Sequence, residues 1–464
     1  MKFVFALLLT VAVSLAVQAQ MRLVNFDHLR HLTERISMEN DSVDIVHVYA
    51  NYPTYDWVSA QESGPEGIAC VDDAARAAVV YLRHYELTKS PESLFRAKSL
   101  LKFITRMETP DGSFYNFIRE DHSINKEGTT SFASFGWWAA RGVWSMAAGA
   151  RVLEGVDSAF AAELRQRIVL TFPHIDSLMK SYNQFQTIGG YRVPRWLLYE
   201  SGADVTSELL LGLIDYYAAT KDARAKQYIE RLSDGLRAMQ NGAVAKYPYA
   251  VHRSWRTTWH MWGNGQTQAL ASAGILLHNK AMLESAEREA IGFYSRLLIL
   301  GYRKEMDVAD RSKTLTYEQI AYGVRPMSVG LLRLYVATNK QLYLKMAALS
   351  ASWFFGNNAA REAIYDSATG RCFDGIRDSA TVNKNSGAES TIEALHTLVE
   401  LDLYPELRKY LFYKKIRREE SRRWLAGLFR GGDEELTLAI DFATGGLHLF
   451  EGKASSDFWH NLHR

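Results

Sequence analysis

The sequence predicts an all-α toroid, an (α/α)6 ring of six helical hairpins, on three observations. First, three stretches share one pattern: RHYELTKSPESLFRAKSLLKFI, DYYAATKDARAKQYIERLSDGL and RLYVATNKQLYLKMAALSASWF. Each has a Tyr near a helix end (Tyr85, Tyr217, Tyr335), then a Thr, a polar turn and a second amphipathic helix. Second, the gaps between these stretches carry the helical period and each has room for one further hairpin. Third, turns within a pair are short, as in TKSPE, TKDA and TNKQ, whereas connections between pairs are long and rich in Gly, Trp and Tyr. Short turns make antiparallel neighbours, and six of them with a repeating buried face close most simply into a ring. An open solenoid is the other way to stack them.

Taken in order, the chain opens with MKFVFALLLTVAVSLAVQAQ. Lys2 followed by apolar Phe3 to Val17 and the small-residue site Val17-Gln18-Ala19 reads as a secretory leader spanning residues 1–19. The expected mature protein starts near Gln20 and is secreted or periplasmic, with no membrane association after cleavage. The toroid is expected over residues 20–416, with helix pairs near 73–88 and 92–108, 134–152 and 158–182, and 203–220 and 222–240. Three more follow near 265–277 and 280–300, 316–338 and 340–355, and 388–402 and 404–415. Residues 417–464 form an extension in which ELTLAIDFATGGLHLFEG alternates as strands do, to plug or flank the ring.

Composition narrows the function. Of 464 residues 47% are hydrophobic, as in globular proteins, and the net charge is only +2. Neither a basic stripe for nucleic acid nor a polybasic helix for a membrane surface is present. The histidines lack metal-ligand spacing, Asp366 and Asp374 around a Gly turn do not match a calcium loop, and no phosphate loop or Gly-x-Ser-x-Gly elbow occurs. No metal and no cofactor is expected.

In a closed ring every long connection runs from an outer helix into the next inner one, so unusual residues in these connections gather at one end. They are CVDDAAR, FASFGWWAAR, YESGADVTSE, MWGNGQTQAL, YEQIAYGVRP and NSGAEST. Each acid has a bland account. Asp72 is a good N-cap and Asp73 a favourable first-turn acid, Ser386 with Glu389 fits a capping box, and Ser201 and Asp204 fit a cap as well. Together they point further, because the first and sixth hairpins are neighbours when the ring closes. Asp72 or Asp73 then faces Glu389 across one mouth, and two carboxylates flanking a cleft are what glycoside hydrolysis needs. Glu200, Asp204 and Glu318 stand in reserve.

Aromatic residues support a sugar ligand, since pyranose C–H faces stack on aromatic planes. KYPYAVHRSWRTTWHMWGNGQ supplies Trp255, Trp259 and Trp262 with His252, Arg253 and His260, and Asn264 and Gln266 follow as hydroxyl partners. Trp137, Trp138 and Arg141 extend that platform, although about half of such tryptophans serve as core fillers.

With TPDGSFYNF after the second helix, WFFGNN, and NSGAEST opening the last inner helix, the chain resembles the six-hairpin glycosidase superfamily over residues 60–415, nearest its cellulase-type inverting hydrolases. The resemblance implies an early aspartate base, Asp72 or Asp73, and a late glutamate acid, Glu389. The cellulase pattern separates its two aspartates, whereas here they are adjacent. The expectation is an exported hydrolase of poly- or oligosaccharides. The alternatives are a uronate lyase using Tyr249, His252, Arg253 and His260, a sugar epimerase, or a non-catalytic glycan-binding ring. Cys70 and Cys372 should lie on one rim, either bonded or as two buried free thiols.

Overall fold

The computed structural model describes residues 23–38 and 41–462, so the leader lies outside the described residues. Six inner helices form a closed ring: Val71–Thr88, Trp137–Leu153, Ala203–Thr220, Gln266–Leu277, Val324–Thr338 and Ala388–Leu401. Each packs on the next and the sixth on the first, which excludes the open solenoid. Small residues make this close contact possible. Gly212 of the third inner helix has no room for a Cβ against the Trp144 backbone of the second.

The predicted hairpin turns are one structure built three times. Lys89, Lys221 and Asn339 each adopt a left-handed conformation (φ 56°, 59° and 56°) and donate to the carbonyls of Tyr85, Tyr217 and Tyr335. Each preceding Thr donates its hydroxyl four residues back, Thr88 to His84, Thr220 to Tyr216 and Thr338 to Leu334. These i→i+4 helix ends are local chemistry, which is why the sequence exposes them.

The outer helices are less regular than expected. The second outer helix is split into Ser158–Leu170 and Phe172–Met179, because Pro173 has no N–H to continue the ladder. The fourth is Lys280–Glu289 and Ser295–Leu300, joined by a π turn at Ala290–Tyr294. The twelfth expected helix is a 3-10 segment at Pro405–Phe412. The fifth inner helix begins at Val324 rather than at 316, since Gln319–Ile320 pairs as a strand with Gly375–Ile376.

Residues 23–70 stitch the ring shut. Val48 donates to Ile68 beside the first inner helix, and its carbonyl accepts from Ala388 at the start of the sixth. His28 bonds the Ser386 carbonyl in the same seam. At the other terminus Lys414–Glu420, Trp424–Gly431, Glu434–Asp441 and Gly446–Glu451 form a four-stranded antiparallel sheet, followed by the helix Lys453–Asn461. It packs against Ser295–Leu300 of an outer helix and so flanks the ring.

Candidate active site

The helix starts do not use their acids as caps. The first inner helix is preceded by extended Cys70, with Asp72 and Asp73 both inside the first turn and no side-chain cap. The sixth is preceded by Gly387; Ser386 donates its hydroxyl to the Cys372 carbonyl, so the expected capping box is not formed. All three carboxylates are directed into ion pairs.

Arg76, one turn into the first inner helix, joins them. Its Nη2 contacts Asp73 Oδ1 at 2.6 Å, and its Nη1 contacts Glu389 at 2.9 Å and Glu393 at 3.2 Å. The first and last repeats therefore meet on one guanidinium, as ring closure requires. Asp72 pairs instead with Arg141 at 2.9 Å, and its other oxygen accepts from the Asn116 amide. Exposure separates the acids: the Glu389 side chain is 43% exposed, against 18% for Asp72 and 7% for Asp73. Glu389 Oε1 has no hydrogen bond among the described residues. Burial pushes the Asp73 carboxyl above its ordinary range against the pull of Arg76, and Glu389 adds to the rise.

Beneath the mouth lies a belt of alternating charge. Glu393 bridges Arg76 to Arg325 (2.6 Å), Arg325 reaches Gln268 and Glu208, and the Tyr322 hydroxyl donates to Glu208 and accepts from Arg141. The guanidiniums of Arg76, Arg141 and Arg325 lie 5.3, 5.4 and 5.5 Å from the centre of the Tyr322 ring. Three arginines thus share five carboxylates, and the floor of the mouth is net acidic. Several buried polar atoms around the belt have no partner, among them Arg141 Nε, Glu208 Oε2 and Asn264 Oδ1. Burying such groups unpaired is costly, which marks this as a place where a hydroxylated ligand gains bonds.

A cavity of about 180 Å³ opens beside Glu389, lined also by Tyr49, Glu318, Asp374 and Ser390. Asp374 is spoken for, accepting from the Gly387 amide and the Ser390 hydroxyl. Across the mouth Asp204, in the first turn of the third inner helix, bonds His260 Nε2 at 3.0 Å. His260 stacks on Trp262 at 4.2 Å, and its Nδ1 is buried without a partner. Burial raises the Asp204 carboxyl, with His260 opposing.

Other candidates go elsewhere. His252 is fully buried between Glu289 and Ser285 of an outer helix, because its loop folds down onto that helix. Arg253 is equally buried and donates only to backbone carbonyls, and Trp259 packs on Phe293 in the core. The lyase set is therefore not assembled. Trp138 is a buried filler bonded to the Phe114 carbonyl, while Trp137 is half-buried with Arg141 over its ring at 5.0 Å. Trp255 is exposed under Arg256. Glu200 sits on the surface with Arg195, away from the belt. Asn264 and Gln266 use their amide N–H groups on the Gly323 and Gly263 carbonyls. Cys70 and Cys372 lie on the same rim as expected, both free and buried. Among the described residues no group of three or more His, Cys, Asp or Glu is placed to hold a metal ion.

Arg76, Glu208, Tyr322, Arg325 and Glu393 were not among the candidates. The available signal was spacing: Arg76 follows Asp72 and Glu393 follows Glu389 by four residues, which puts each pair on one helix face.

No protein-family model matches the chain, and no curated protein matches it in sequence. Solved structures do match in fold. A sugar epimerase from a ruminal bacterium superposes with a TM-score of 0.55 at 13% identity, covering 81% of this chain and 95% of that one. The cellobiose 2-epimerase of Spirochaeta thermophila gives 0.57 at 12% identity over 84% and 97%, and a D-mannose isomerase 0.52 at 11% over 77% and 90%. At such identities the likeness establishes the shared six-hairpin toroid.

Proposed function

We propose that the protein is an exported glycoside hydrolase that cleaves a poly- or oligosaccharide by an inverting two-carboxylate mechanism. One observation carries the reading: Glu389 is a half-exposed carboxylate with no cap to make, held on the same Arg76 that binds Asp73 from the opposite side of the ring seam. Arg76 divides its charge among three acids, so it fixes the position of Glu389 while leaving Oε1 to meet the leaving oxygen. Glu389 is the proton donor. Asp72 is the better base of the adjacent pair, because its side chain is the more exposed and is held in place by Arg141 rather than by the shared Arg76. Asp73 holds Arg76 in place. Trp137 and Trp262, half-buried on either flank, offer stacking faces for sugar rings.

The test is proton NMR of the first product formed from a cleaved glycan, with Asp72→Asn and Asp73→Asn assayed beside wild type. The expected product has the anomeric configuration opposite to the substrate, and Asp72→Asn loses about 100-fold or more in turnover, the usual worth of a positioned acid or base. Retention of configuration overturns the inverting mechanism, and full turnover in Asp72→Asn overturns the assignment of the base.

A second reading, epimerisation of a reducing sugar, is favoured by the His260–Asp204 pair with its unpartnered Nδ1, and two of the superposing structures are sugar epimerases. Deuterium uptake from D2O at the sugar C2 with no gain in reducing ends identifies it.

A further inference from the structure

The ring has a second cavity at the end opposite the mouth. It measures about 310 Å³, and all six inner helices line it through residues near their C-termini, including Arg83, Arg151, Asp215, Leu276, Val336 and Glu400. Along the second inner helix, Arg141 of the belt and Arg151 of this cavity are ten residues apart, about 15 Å at the helical rise. The two spaces are therefore separate, divided by the Arg325–Gln268–Glu393 layer, with Gln268 forming part of the lower roof.

We propose that this lower cavity is a binding site for one uncharged sugar ring, distinct from the mouth. The charges around it cancel. Arg83 and Arg333 are held by Glu400, and Arg151 by Asp215 and by Glu86 outside the lining, so three cations are matched by three anions and the cavity favours neither sign. Its polar groups are nevertheless underused. His396 is 4% exposed, lines the cavity, and has no hydrogen-bond partner among the described residues. Burial lowers its pKa to about 3, so it is neutral and presents one donor and one acceptor. Arg333 makes a single side-chain bond, to Glu400, and Asp215 takes a single one, from Arg151. Donors and acceptors interleaved in this way, with no net charge, match a polyol better than an anion or a hydrocarbon. The Trp144 indole and Ile275 supply the apolar wall against which a pyranose C–H face packs. The volume stands at the lower limit for small-molecule pockets, which restricts the occupant to a single ring. The inference is independent of what Glu389 does.

Calorimetric titration of the full protein with D-glucose, D-mannose and D-galactose tests it, with glucuronate and indole as charged and apolar controls. Wild type and Glu389→Gln are expected to bind at least one neutral monosaccharide with a millimolar Kd. Val336→Trp, at an exposed position on the cavity edge, and His396→Phe, inside it, should each weaken that binding tenfold or more. Val336→Trp should leave glycan turnover unchanged. Equal sugar binding in wild type and Val336→Trp, preference for glucuronate or indole, or no neutral-sugar heat at all overturns the proposal.

Discussion

The two ends of the ring are built from the same helices by different rules. At the hairpin-turn end, Tyr85, Tyr217 and Tyr335 close three turns with the same left-handed residue and the same Thr back-bond. At the mouth the inner helices start without caps, five of the six after a glycine. Cys70, Gly136, Gly202, Gly265, Gly323 and Gly387 precede them, none with a side-chain cap, and the first-turn acids Asp72, Asp73, Asp204 and Glu389 reach for arginine or histidine instead. Repetition solves a folding problem once and copies it. First-turn acids turned away from the helix ends, where caps are easily available, mark side chains kept for something other than the helix.

The comparison breaks hardest at the belt under the mouth. Glu393→Leu leaves Arg76 and Arg325 without their shared carboxylate, which is 1% exposed. Removing one partner of a buried ion pair strands the other charge, so urea unfolding should show a loss of about 3–5 kcal/mol. A loss below about 1 kcal/mol would mean that the belt is hydrated rather than structural.

Glu108 sharpens the contrast, because it is a strained acid at the mouth side with no place in the site. It caps the end of the first outer helix, and burial raises its pKa to about 7 against the pull of Arg167. Its folded pKa lies above the ordinary 4.5, so the folded state binds the extra proton and stability falls as pH rises from 4.5 through 7. Glu108→Gln should therefore gain about 2–3 kcal/mol at pH 8 and nothing at pH 4, read from denaturation midpoints at the two pH values.

The smallest effect belongs to the repeated turn. Lys221→Gly relieves a left-handed non-glycine residue and should raise stability by up to about 1 kcal/mol with turnover unchanged. A fall in turnover would deny the division of labour between the two ends.

This division also explains what was legible in the sequence. The turns are i→i+4 chemistry, so three short stretches reveal them and, through their spacing, the ring. The mouth acids were visible as pairs at helix starts. Arg325 and Glu208 were not, since a charged residue on a helix reads as solvated face until ring closure turns that face inward. His252, Arg253 and Trp259 were misplaced because nothing local says that their loop folds down onto Glu289 and Phe293. Pro173 carried the signal for the split of its helix, which the expected single span 158–182 left unused.

The central claim is that the acids of the mouth serve chemistry, and Glu389→Gln tests it most directly when glycan turnover and melting temperature are read on the same sample. The account predicts turnover reduced about 100-fold or more with an unchanged melting temperature. Undiminished turnover with a lowered melting temperature, the signature of a lost first-turn charge worth about 0.3–1 kcal/mol, would contradict it.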